Sequence, residues 1–276
     1  MPVSNAVDRD LRQSILEHLL AEIEATPAEE DPFPHFTLRA FFPEQVYATL
    51  LRCLPPTEAH EPFGYEKNHT QDGQSNRMRF CMENTWLERL PQPDQSFWFT
   101  IRSVLGSLEL KRAVFTKLAT GLAFRYGCDR RAVADLEGFA LPELFRESEG
   151  YRIKPHPDTR KKVVTMQISL AADATQADLG TEFYRRSLQP AHWMREPRGF
   201  DIVKQPPFLP NAAYAFSVLN TLRIKSWHGR SSLASGCGVR NSILNIWYQK
   251  PEHANGDLIA EHALLCGKSA DPPANP

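Results

Sequence analysis

The first part of the chain repeats its hydrophobic residues at helical spacing. Over residues 8–24, one apolar side chain recurs at every fourth position, which places the set on one helix face: Leu11, Ile15, Leu19 and Ile23. The acidic, proline-containing segment 26–34 breaks this pattern. Residues 35–42, "HFTLRAFF", alternate as in a strand, and Pro43 then opens a helical pattern. The N-terminal segment therefore predicts a helix, a strand and a second helix.

The period of the pattern changes farther along the chain. Residues 54–75 are polar and rich in turn formers, which predicts a mobile surface loop, whereas residues 94–124 return to helical spacing. After about residue 138, alternating segments separated by turns predominate: "YRIKPH", "KVVTMQISLA", "TEFYRR", "AAYAFSV", "RIKSWHG" and "NSILNIWYQ". We therefore expect a β-sandwich or barrel with helices packed on its outside in one shared core, since no flexible linker separates the two halves.

Composition narrows the class of protein. With 276 residues, 42% of them hydrophobic, the chain can bury a core of enzyme size. The 32 basic and 33 acidic residues nearly cancel, so we expect neither a nucleic-acid partner nor binding to an anionic membrane. No segment has the pattern of a signal peptide or a membrane span, which predicts a cytoplasmic protein. The five cysteines are scattered and form no C-x-x-C pair, so they predict reduced thiols instead of disulfides or structural zinc.

The candidate chemistry begins at one histidine and one aspartate. His156 and Asp158 flank Pro157 at the head of an alternating segment, so on an extended backbone their side chains leave the same face. His228, at the end of a later strand, could join them through antiparallel pairing. Two imidazoles and a carboxylate on one face of an ion leave three positions open, as in non-haem Fe(II) oxygenases. The H-x-D pair alone is weak evidence, because nine histidines make that spacing common by chance.

A candidate carboxylate anchor follows His228 by twelve residues. Arg240 offers a planar guanidinium suited to bidentate capture of a carboxylate. Ser242 lies two positions farther on and therefore on the same strand face. H-x-D at the head of one strand, a histidine at the end of a later one and R-x-S at the start of the next form an ordered set, and this order strengthens the prediction.

The ordered set resembles the iron(II)- and 2-oxoglutarate-dependent dioxygenase superfamily, and more narrowly its prolyl-hydroxylase-like branch. The matching segments are "GYRIKPHPDTRKKVVTMQISL", "DLGTEFY", "FLPNAAYAFSV", "KSWHG" and "VRNSILNIWY". The opening "PFPHFTLRAFFPEQVYATLLRCLP" is similar to the strand and helix with which many members begin. The resemblance covers most of residues 32–249. It implies a double-stranded β-helix, which is a jelly-roll or cupin-like barrel, flanked by N-terminal α-helices.

The resemblance also implies roles for individual residues. It places Fe(II) on His156, Asp158 and His228, and the distal carboxylate of 2-oxoglutarate on Arg240 with help from Ser242. The implied reaction consumes O₂ and 2-oxoglutarate and releases succinate and CO₂ as a substrate is oxidised. Halogenating relatives carry a small residue in place of the iron-binding carboxylate, so Asp158 favours hydroxylation or a related oxidation.

Three more residues are candidates for contact with the co-substrate. Tyr151 precedes His156 by five positions, near where relatives often place a tyrosine that touches 2-oxoglutarate, although barrel packing explains it equally well. Gln167 and Ser169 share a strand face with Thr165 and could point into the barrel. Polar residues on the inside of a small barrel are costly unless they have partners, which favours a ligand, with an internal hydrogen bond as the alternative.

Cationic residues near the motif suggest the kind of substrate. Arg152 and Lys154 belong to a basic run around the H-x-D pair, and Arg77 and Arg79 follow the predicted loop. These four residues are candidates for binding an anionic substrate, although such runs are more often solvated surface. His192 and Trp193 could likewise form part of a lid from the turn-rich stretch 187–210, or be merely exposed.

The sequence thus predicts a lead helix over residues 1–30, a single dioxygenase domain over 31–266 with its barrel core at about 138–250, and a disordered tail over 267–276. The predicted function is hydroxylation of a C–H bond in a small metabolite, anionic or carrier-held. Two alternatives stay open: a hydroxylase of a protein residue, and a non-catalytic jelly-roll sensor that binds metal or 2-oxoglutarate.

Overall fold

The protein is described by a computed structural model over residues 7–64 and 75–265. Residues 65–74 of the predicted loop and the whole predicted tail, residues 267–276, lie outside the described residues. The remainder of the predicted loop, residues 54–64, contains a short 3₁₀ turn and the two-residue strand Glu61–Pro62.

The predicted N-terminal helices are present. Asp8 caps the first helix by accepting a hydrogen bond from the Leu11 amide at 3.0 Å, and the apolar face predicted for this helix is largely buried. The segment 94–124 divides into three helices, with breaks near Gly106 and at Leu118. The helices are α1 (Arg9–Ala25), α2 (Glu44–Arg52), α3 (Asn84–Leu87), α4 (Gln92–Leu105), α5 (Leu108–Lys117), α6 (Ala119–Tyr126) and α7 (Gly256–Leu265).

The described strands form two antiparallel sheets. They are β1 (His35–Leu38), β2 (Glu61–Pro62), β3 (Arg77–Cys81), β4 (Phe139–Glu147), β5 (Ile153–His156), β6 (Lys162–Ser169), β7 (Glu182–Arg186), β8 (Phe200–Lys204), β9 (Ala213–Ser217), β10 (His228–Arg230) and β11 (Arg240–Tyr248). The large sheet has the order β1-β9-β6-β11-β4-β3-β2, and the small sheet has the order β5-β10-β7-β8.

The chain crosses between these sheets repeatedly from β4 onward. β4, β6, β9 and β11 belong to the large sheet, while β5, β7, β8 and β10 belong to the small one. Eight strands divided between two antiparallel sheets in this way form a jelly roll. The predicted double-stranded β-helix with helical support is therefore confirmed, with the two sheets left open at their edges.

The two faces of the large sheet have different partners. Along β6, Val164, Met166 and Ile168 pack in one buried cluster with the helices, whereas Thr165 and Gln167 line a cavity between the sheets. Helices cover the outer face, where Trp247 of β11 meets Phe115 of α5 with ring centroids 6.0 Å apart. The period-2 alternation of the strands thus divides an apolar core from a polar interior. None of the helices in the described ranges combines the length and apolar character needed to cross a bilayer.

Six elements escaped prediction: α3 and β2 span only four and two residues, and the other four have atypical patterns. β4, "FALPELFRE", carries Pro142 near its middle, and proline is rare inside a central strand. It also points Glu143 and Glu147 toward the interior, whereas a half-buried strand usually points apolar residues inward and charged residues outward. β3, "RMRFC", alternates arginines with apolar residues but is very short. β8 lies inside the stretch 187–210 that was expected to be turn, and α7 follows the last predicted strand.

Candidate functional site

The two candidate histidines lie directly opposite each other on neighbouring strands. His156 ends β5 and His228 begins β10, and the two residues are register partners in the antiparallel pair. Their ring centroids are 4.4 Å apart. Asp158 follows β5 by two residues and is buried beneath both rings' edges, with 4% of its surface exposed. Antiparallel pairing of β5 with β10 thus brings His228 beside the H-x-D pair.

The donor atoms of these three residues face one another. The ligand atoms of His156, Asp158 and His228 all lie within 4.8 Å of one another. Asp158 Oδ1 lies 4.0 Å from His156 Nε2, and Asp158 Oδ2 lies 3.8 Å from His228 Nε2. Among the described residues this is the one group of three or more histidine, cysteine or carboxylate side chains with the spacing of a metal site.

Backbone carbonyls fix the orientation of both imidazoles. His156 Nδ1 lies 3.0 Å from the Lys154 carbonyl oxygen, and His228 Nδ1 lies 2.9 Å from the Ser226 carbonyl oxygen. A carbonyl oxygen can only accept, so each Nδ1 carries a proton, and Nε2 is the nitrogen of each ring that can bind a metal. Metal-binding histidines are held in the same way, and the arrangement therefore fits a divalent ion such as Fe(II).

A glycine makes the close approach of the two ligand strands possible. A Cβ atom placed on Gly229, next to His228, would lie 2.6 Å from the Ile153 carbonyl oxygen of β5. Any side chain at this position would push β10 away from β5. The "WHGR" segment thus combines a ligand with the small residue that lets its strand pair closely.

Asp158 is held as a charged carboxylate. Lys162 Nζ donates to Oδ1 at 2.5 Å, and Thr165 Oγ1 donates to Oδ2 at 2.7 Å. Burial by itself would raise the pKa of Asp158, but the Lys162 ammonium, the neighbouring His228 and the two hydrogen bonds outweigh it and hold this pKa well below its usual range. A metal would therefore meet an ionised, oriented ligand.

Burial keeps His228 neutral. Desolvation lowers the pKa of His228 to about 4, against the opposing attraction of Asp158. The ring packs on Phe216 with centroids 4.8 Å apart, which shields it from water. Nε2 of His228 is therefore available to a metal near neutral pH without first losing a proton.

These residues open onto a cavity of about 180 Å³ between the sheets. Its charged and hydrogen-bonding lining comes from both sheets and from the loops that join them: Arg77, Glu143, Glu147, Tyr151, His156, Asp158, Lys162, Thr165, Gln167, Thr181, Tyr214, His228, Arg230, Arg240 and Tyr248. Burial raises the pKa of Tyr151, so its hydroxyl stays protonated. The stretch 187–210 contributes none of the described lining residues.

Arg240 lies in this cavity, but its nitrogens already have partners. Nε donates to the Leu179 carbonyl oxygen at 2.7 Å, Nη2 donates to Gln167 Oε1 at 2.8 Å, and Nη1 donates to Glu147. The guanidinium also lies over the Phe208 ring, 4.5 Å from its centroid. The sequence did not indicate this pairing: Arg240, the residue expected to bind the carboxylate of 2-oxoglutarate, already binds the carboxylate of Glu147.

Gln167 is the centre of a hydrogen-bond network beside Arg240. Its Oε1 accepts hydrogen bonds from Thr181 Oγ1 at 2.9 Å, from the Tyr214 hydroxyl at 2.8 Å and from Arg240. Its Nε2 donates to Ser242 Oγ at 3.2 Å. Ser242 is fully buried and supports Gln167 from below the cavity lining. Three donors thus converge on one oxygen position next to the candidate metal ligands.

Ser169 lies away from this centre. It lines a much smaller neighbouring pocket, and its Oγ accepts a hydrogen bond from the Ala171 amide at 3.4 Å. Of the predicted co-substrate residues, Tyr151, Gln167 and Arg240 therefore line the main cavity, while Ser242 and Ser169 do not.

The candidate substrate cations separate in space. Arg77 lines the cavity, whereas Arg79 pairs with Glu143 at 3.2 Å outside the described lining. Arg152 and Lys154 are exposed and line a different recess, so the structure does not bring them to the candidate metal ligands. Arg152 lies just before β5 and Lys154 lies within it, yet neither residue lines the cavity that His156 lines.

The candidate lid residues are engaged elsewhere. His192 pairs with Asp201 of β8, and its Nε2 lies 2.7 Å from Arg195. Trp193 is 53% exposed, and the Arg186 guanidinium lies 5.8 Å from its ring centroid. Neither residue lines the cavity. His35, expected to be structural, is buried with its Nδ1 2.7 Å from the Phe33 carbonyl oxygen.

Sequence reasoning missed the acidic residues of the cavity. Glu143 and Glu147 lie in β4, the strand that was not predicted, and their register partners are Arg77 and Arg240 for Glu147 and Cys81 and Leu244 for Glu143. Glu143 and Glu147 lie four positions apart in a mainly apolar segment, and this repeat was the signal that could have found them. A spacing of four is also that of one helix face, so it did not indicate that both glutamates point to the same face of a strand.

Comparison with known proteins gives a likeness in overall fold. No protein-family model matches the chain, and no curated protein matches it. Among solved structures, it is similar to a 2OG-Fe(II) oxygenase family oxidoreductase from Burkholderia pseudomallei, with 14% identity, 85% of this chain and 90% of the other covered, and a TM-score of 0.43.

Two further solved structures have comparable values. A Pseudomonas putida prolyl-4-hydroxylase is 11% identical, with 86% of this chain and 100% of the other covered and a TM-score of 0.43. HygX from Streptomyces hygroscopicus, solved with nickel, 2-oxoglutarate and hygromycin B bound, is 11% identical, with 85% and 87% covered and a TM-score of 0.41. At these identities and TM-scores, the comparison assigns no chemistry to this chain.

Proposed function

We propose that this protein is a 2-oxoglutarate-dependent non-haem iron dioxygenase that hydroxylates a C–H bond of a small metabolite. The observation that carries the proposal is the convergence of two imidazole Nε2 atoms and an ionised carboxylate within 4.8 Å of one another in an interior cavity. A buried arginine, Arg240, lies in the same cavity. Three protein ligands on one face leave room for a co-substrate and O₂ on the other.

The chain's own residues would divide the work as follows. His156, Asp158 and His228 would hold Fe(II), and bound iron would supply the oxygen chemistry that couples decarboxylation of 2-oxoglutarate to substrate oxidation. Arg240 would attract the distal carboxylate of the co-substrate, and Thr181 and Tyr214, which donate to Gln167, would hold Gln167 in place beside Arg240. The residues orient the reactants and exclude water from the reacting centre.

The charge of the cavity favours an anionic substrate. Arg77, Lys162 and Arg230 line it in addition to Arg240, and the buried carboxylates of Glu143, Glu147 and Asp158 offset only part of that charge. An interior lined by one more cation than carboxylate concentrates anions. We therefore favour a small metabolite that carries a carboxylate or phosphate, either free or held on a carrier.

Succinate formation tests the proposed reaction. Purified protein supplied with Fe(II), 2-oxoglutarate and O₂ should release succinate, and both H156A and D158A should abolish this turnover because each removes a ligand. H192A is the matched control, since it removes a histidine that also pairs with an aspartate but lies outside the cavity. H192A should retain turnover.

Two results would overturn the proposal. Retained succinate formation in both H156A and D158A would show that these residues do not hold the reactive metal. Anaerobic binding of Fe(II) and 2-oxoglutarate without any succinate on admission of O₂, across a panel of candidate acids, would instead identify a sensor.

A further inference from the structure

Three charged side chains lie side by side across the strands β3, β4 and β11. Arg77 is the register partner of Glu147, and Glu147 is the register partner of Arg240. Directly opposed residues of antiparallel strands point to the same face of a sheet, so the backbone register alone places Glu147 between two arginines. All three residues line the cavity that holds the candidate metal ligands. We refer to them as the charged row.

Glu147 offers one carboxylate oxygen to each arginine. Its Oε1 lies 3.2 Å from Arg77 Nε, and its Oε2 accepts a hydrogen bond from Arg240 Nη1. The Glu147 and Arg240 side chains are 3% and 2% exposed. Water therefore screens their attraction little, and whichever arginine holds the carboxylate holds it strongly.

Arg240 has no vacant edge for a second carboxylate. Bidentate capture needs two parallel N–H bonds from one edge of the guanidinium. Nε donates to the Leu179 carbonyl, Nη2 donates to both Gln167 and Thr181, and Nη1 donates to Glu147, so Nη2, which both edges of the guanidinium share, is already engaged. A co-substrate carboxylate must therefore displace one of these partners before it can bind to Arg240 in this way.

Glu147 is the partner best able to leave. The Leu179 oxygen belongs to the backbone, and Gln167 is fixed by Thr181, Tyr214 and Ser242 in addition to Arg240. Glu147 alone among the four hydrogen-bond partners of Arg240 carries the same charge as the incoming carboxylate, so the two repel each other. The other contacts of Glu147 are with a second cation, Arg77, and with the Tyr151 hydroxyl, and neither contact depends on Arg240.

Arg77 is placed to receive the displaced carboxylate. Its guanidinium carbon lies 4.4 Å from the Phe145 ring centroid and 5.2 Å from that of Tyr151. These rings hold the Arg77 side chain beside Glu147, and its buried Nε makes no hydrogen bond within the described chain. A small rotation of Glu147 would let that nitrogen donate to it.

We propose that Glu147 is an internal competitor of the co-substrate, displaced from Arg240 when 2-oxoglutarate binds and then held by Arg77. The inference rests on the proposed function, since it takes Arg240 as the carboxylate anchor. It makes Glu147 and Arg77 determinants of co-substrate affinity with opposite effects. Removing the competitor strengthens 2-oxoglutarate binding, and removing its alternative partner weakens it.

Anaerobic titration of the Fe(II)-loaded protein with 2-oxoglutarate tests this assignment, followed by the charge-transfer absorbance of the chelate and by calorimetry. E147Q keeps the shape of the side chain and should lower the dissociation constant by about tenfold, because a like charge is removed beside the anchor. R77Q should raise the dissociation constant by about tenfold. General damage to the cavity would weaken binding in both variants, so the opposite signs exclude it.

Glu143 provides the matched control. It lies on the same face of β4 and lines the same cavity, but it pairs with Arg79 and does not contact Arg240. E143Q should change the dissociation constant for 2-oxoglutarate by less than E147Q does, because it removes a cavity carboxylate that does not contact Arg240. The double variant R77Q/E147Q should resemble E147Q, because Arg77 acts through Glu147.

Each result assigns failure to a different claim. Wild-type affinity in E147Q, weaker binding in E147Q, or an equal effect of R77Q with and without Glu147 would overturn the competitor role while leaving the dioxygenase in place. If the wild type binds Fe(II) but neither it nor E147Q binds 2-oxoglutarate, the proposed function fails. Fe(II) titrations of all variants confirm that the metal ligands are intact.

Discussion

The hydroxyl of Thr165 is the contact whose removal tests the candidate metal centre with the least disturbance. Thr165 Oγ1 donates to Asp158 Oδ2 at 2.7 Å, and Thr165 is 4% exposed. Replacement by valine keeps the branched shape and the strand preference but removes the donor. We expect T165V to fold and to bind metal more weakly, because the Asp158 carboxylate loses one of the groups that orient it.

The magnitude follows from the environment of that bond. A hydrogen bond to a charged group contributes about 1.5–3 kcal/mol. Lys162 Nζ still holds the other oxygen of Asp158 at 2.5 Å, so the carboxylate keeps a partner and the loss falls near the lower value. About 1.5 kcal/mol corresponds to roughly a tenfold loss of metal affinity, within the range for groups that orient metal ligands.

Thr37 supplies a matched control for this substitution. Its Oγ1 is buried and has no hydrogen-bond partner in the described chain, so T37V removes a hydroxyl without breaking a bond. We expect T37V to leave metal affinity unchanged and the free energy of unfolding equal or slightly higher, because an unsatisfied buried group is costly. Calorimetric titration with Fe(II) under anaerobic conditions measures the affinities. Wild-type affinity in a folded T165V would refute the role of this hydroxyl.

Two further perturbations probe the same centre. G229A should reduce metal affinity by more than about tenfold and lower the free energy of unfolding by about 1–3 kcal/mol, because its Cβ would lie 2.6 Å from the Ile153 carbonyl oxygen and would separate the ligand strands. G256A is the control, because a Cβ atom at Gly256 would meet no atom within 4 Å. Equal metal affinities in G229A and G256A would contradict this account. The stability of the metal-free protein should fall as pH decreases from His228's ordinary pKa of 6.5 to its native pKa of about 4, since only the unfolded chain binds a proton there. Denaturation curves across this window should show a loss of up to about 3 kcal/mol that is absent in H228Q, and parallel pH profiles of the two proteins would argue against it.

The predicted elements that were found share strong periodicity. The helix at residues 8–24 repeats leucine and isoleucine every four residues, and β6 and β11 alternate over eight and nine residues. Such repeats arise because one side of the helix or strand faces the core, and the spacing of the apolar residues within the segment is enough to show which side that is. The ordered H-x-D, histidine and R-x-S motifs belong to the same category, since each resides on a strand end that the pattern locates.

β4 was missed because its inward-facing residues include charged ones, and the residues that neutralise them come from other strands. β4 directs Glu143 and Glu147 inward because its inner face lines a polar cavity, where arginines from β3 and β11 neutralise them. Nothing within β4 specifies those partners. Burial of charge is acceptable only where the counter-charge is brought by distant segments, so local sequence cannot predict it.

The sequence by itself determined the types of ligand, their order along the chain and the two-sheet class of fold, because residue chemistry and hydrophobic period are local properties. Only the tertiary structure decided that His156 and His228 are cross-strand partners, that Arg152 and Lys154 line a separate recess, and that Glu147 pairs with Arg240. These facts depend on strand register, and shifting a strand by one residue turns every side chain to the opposite face. Register is fixed by contacts between segments far apart in the chain, where the local pattern has no information.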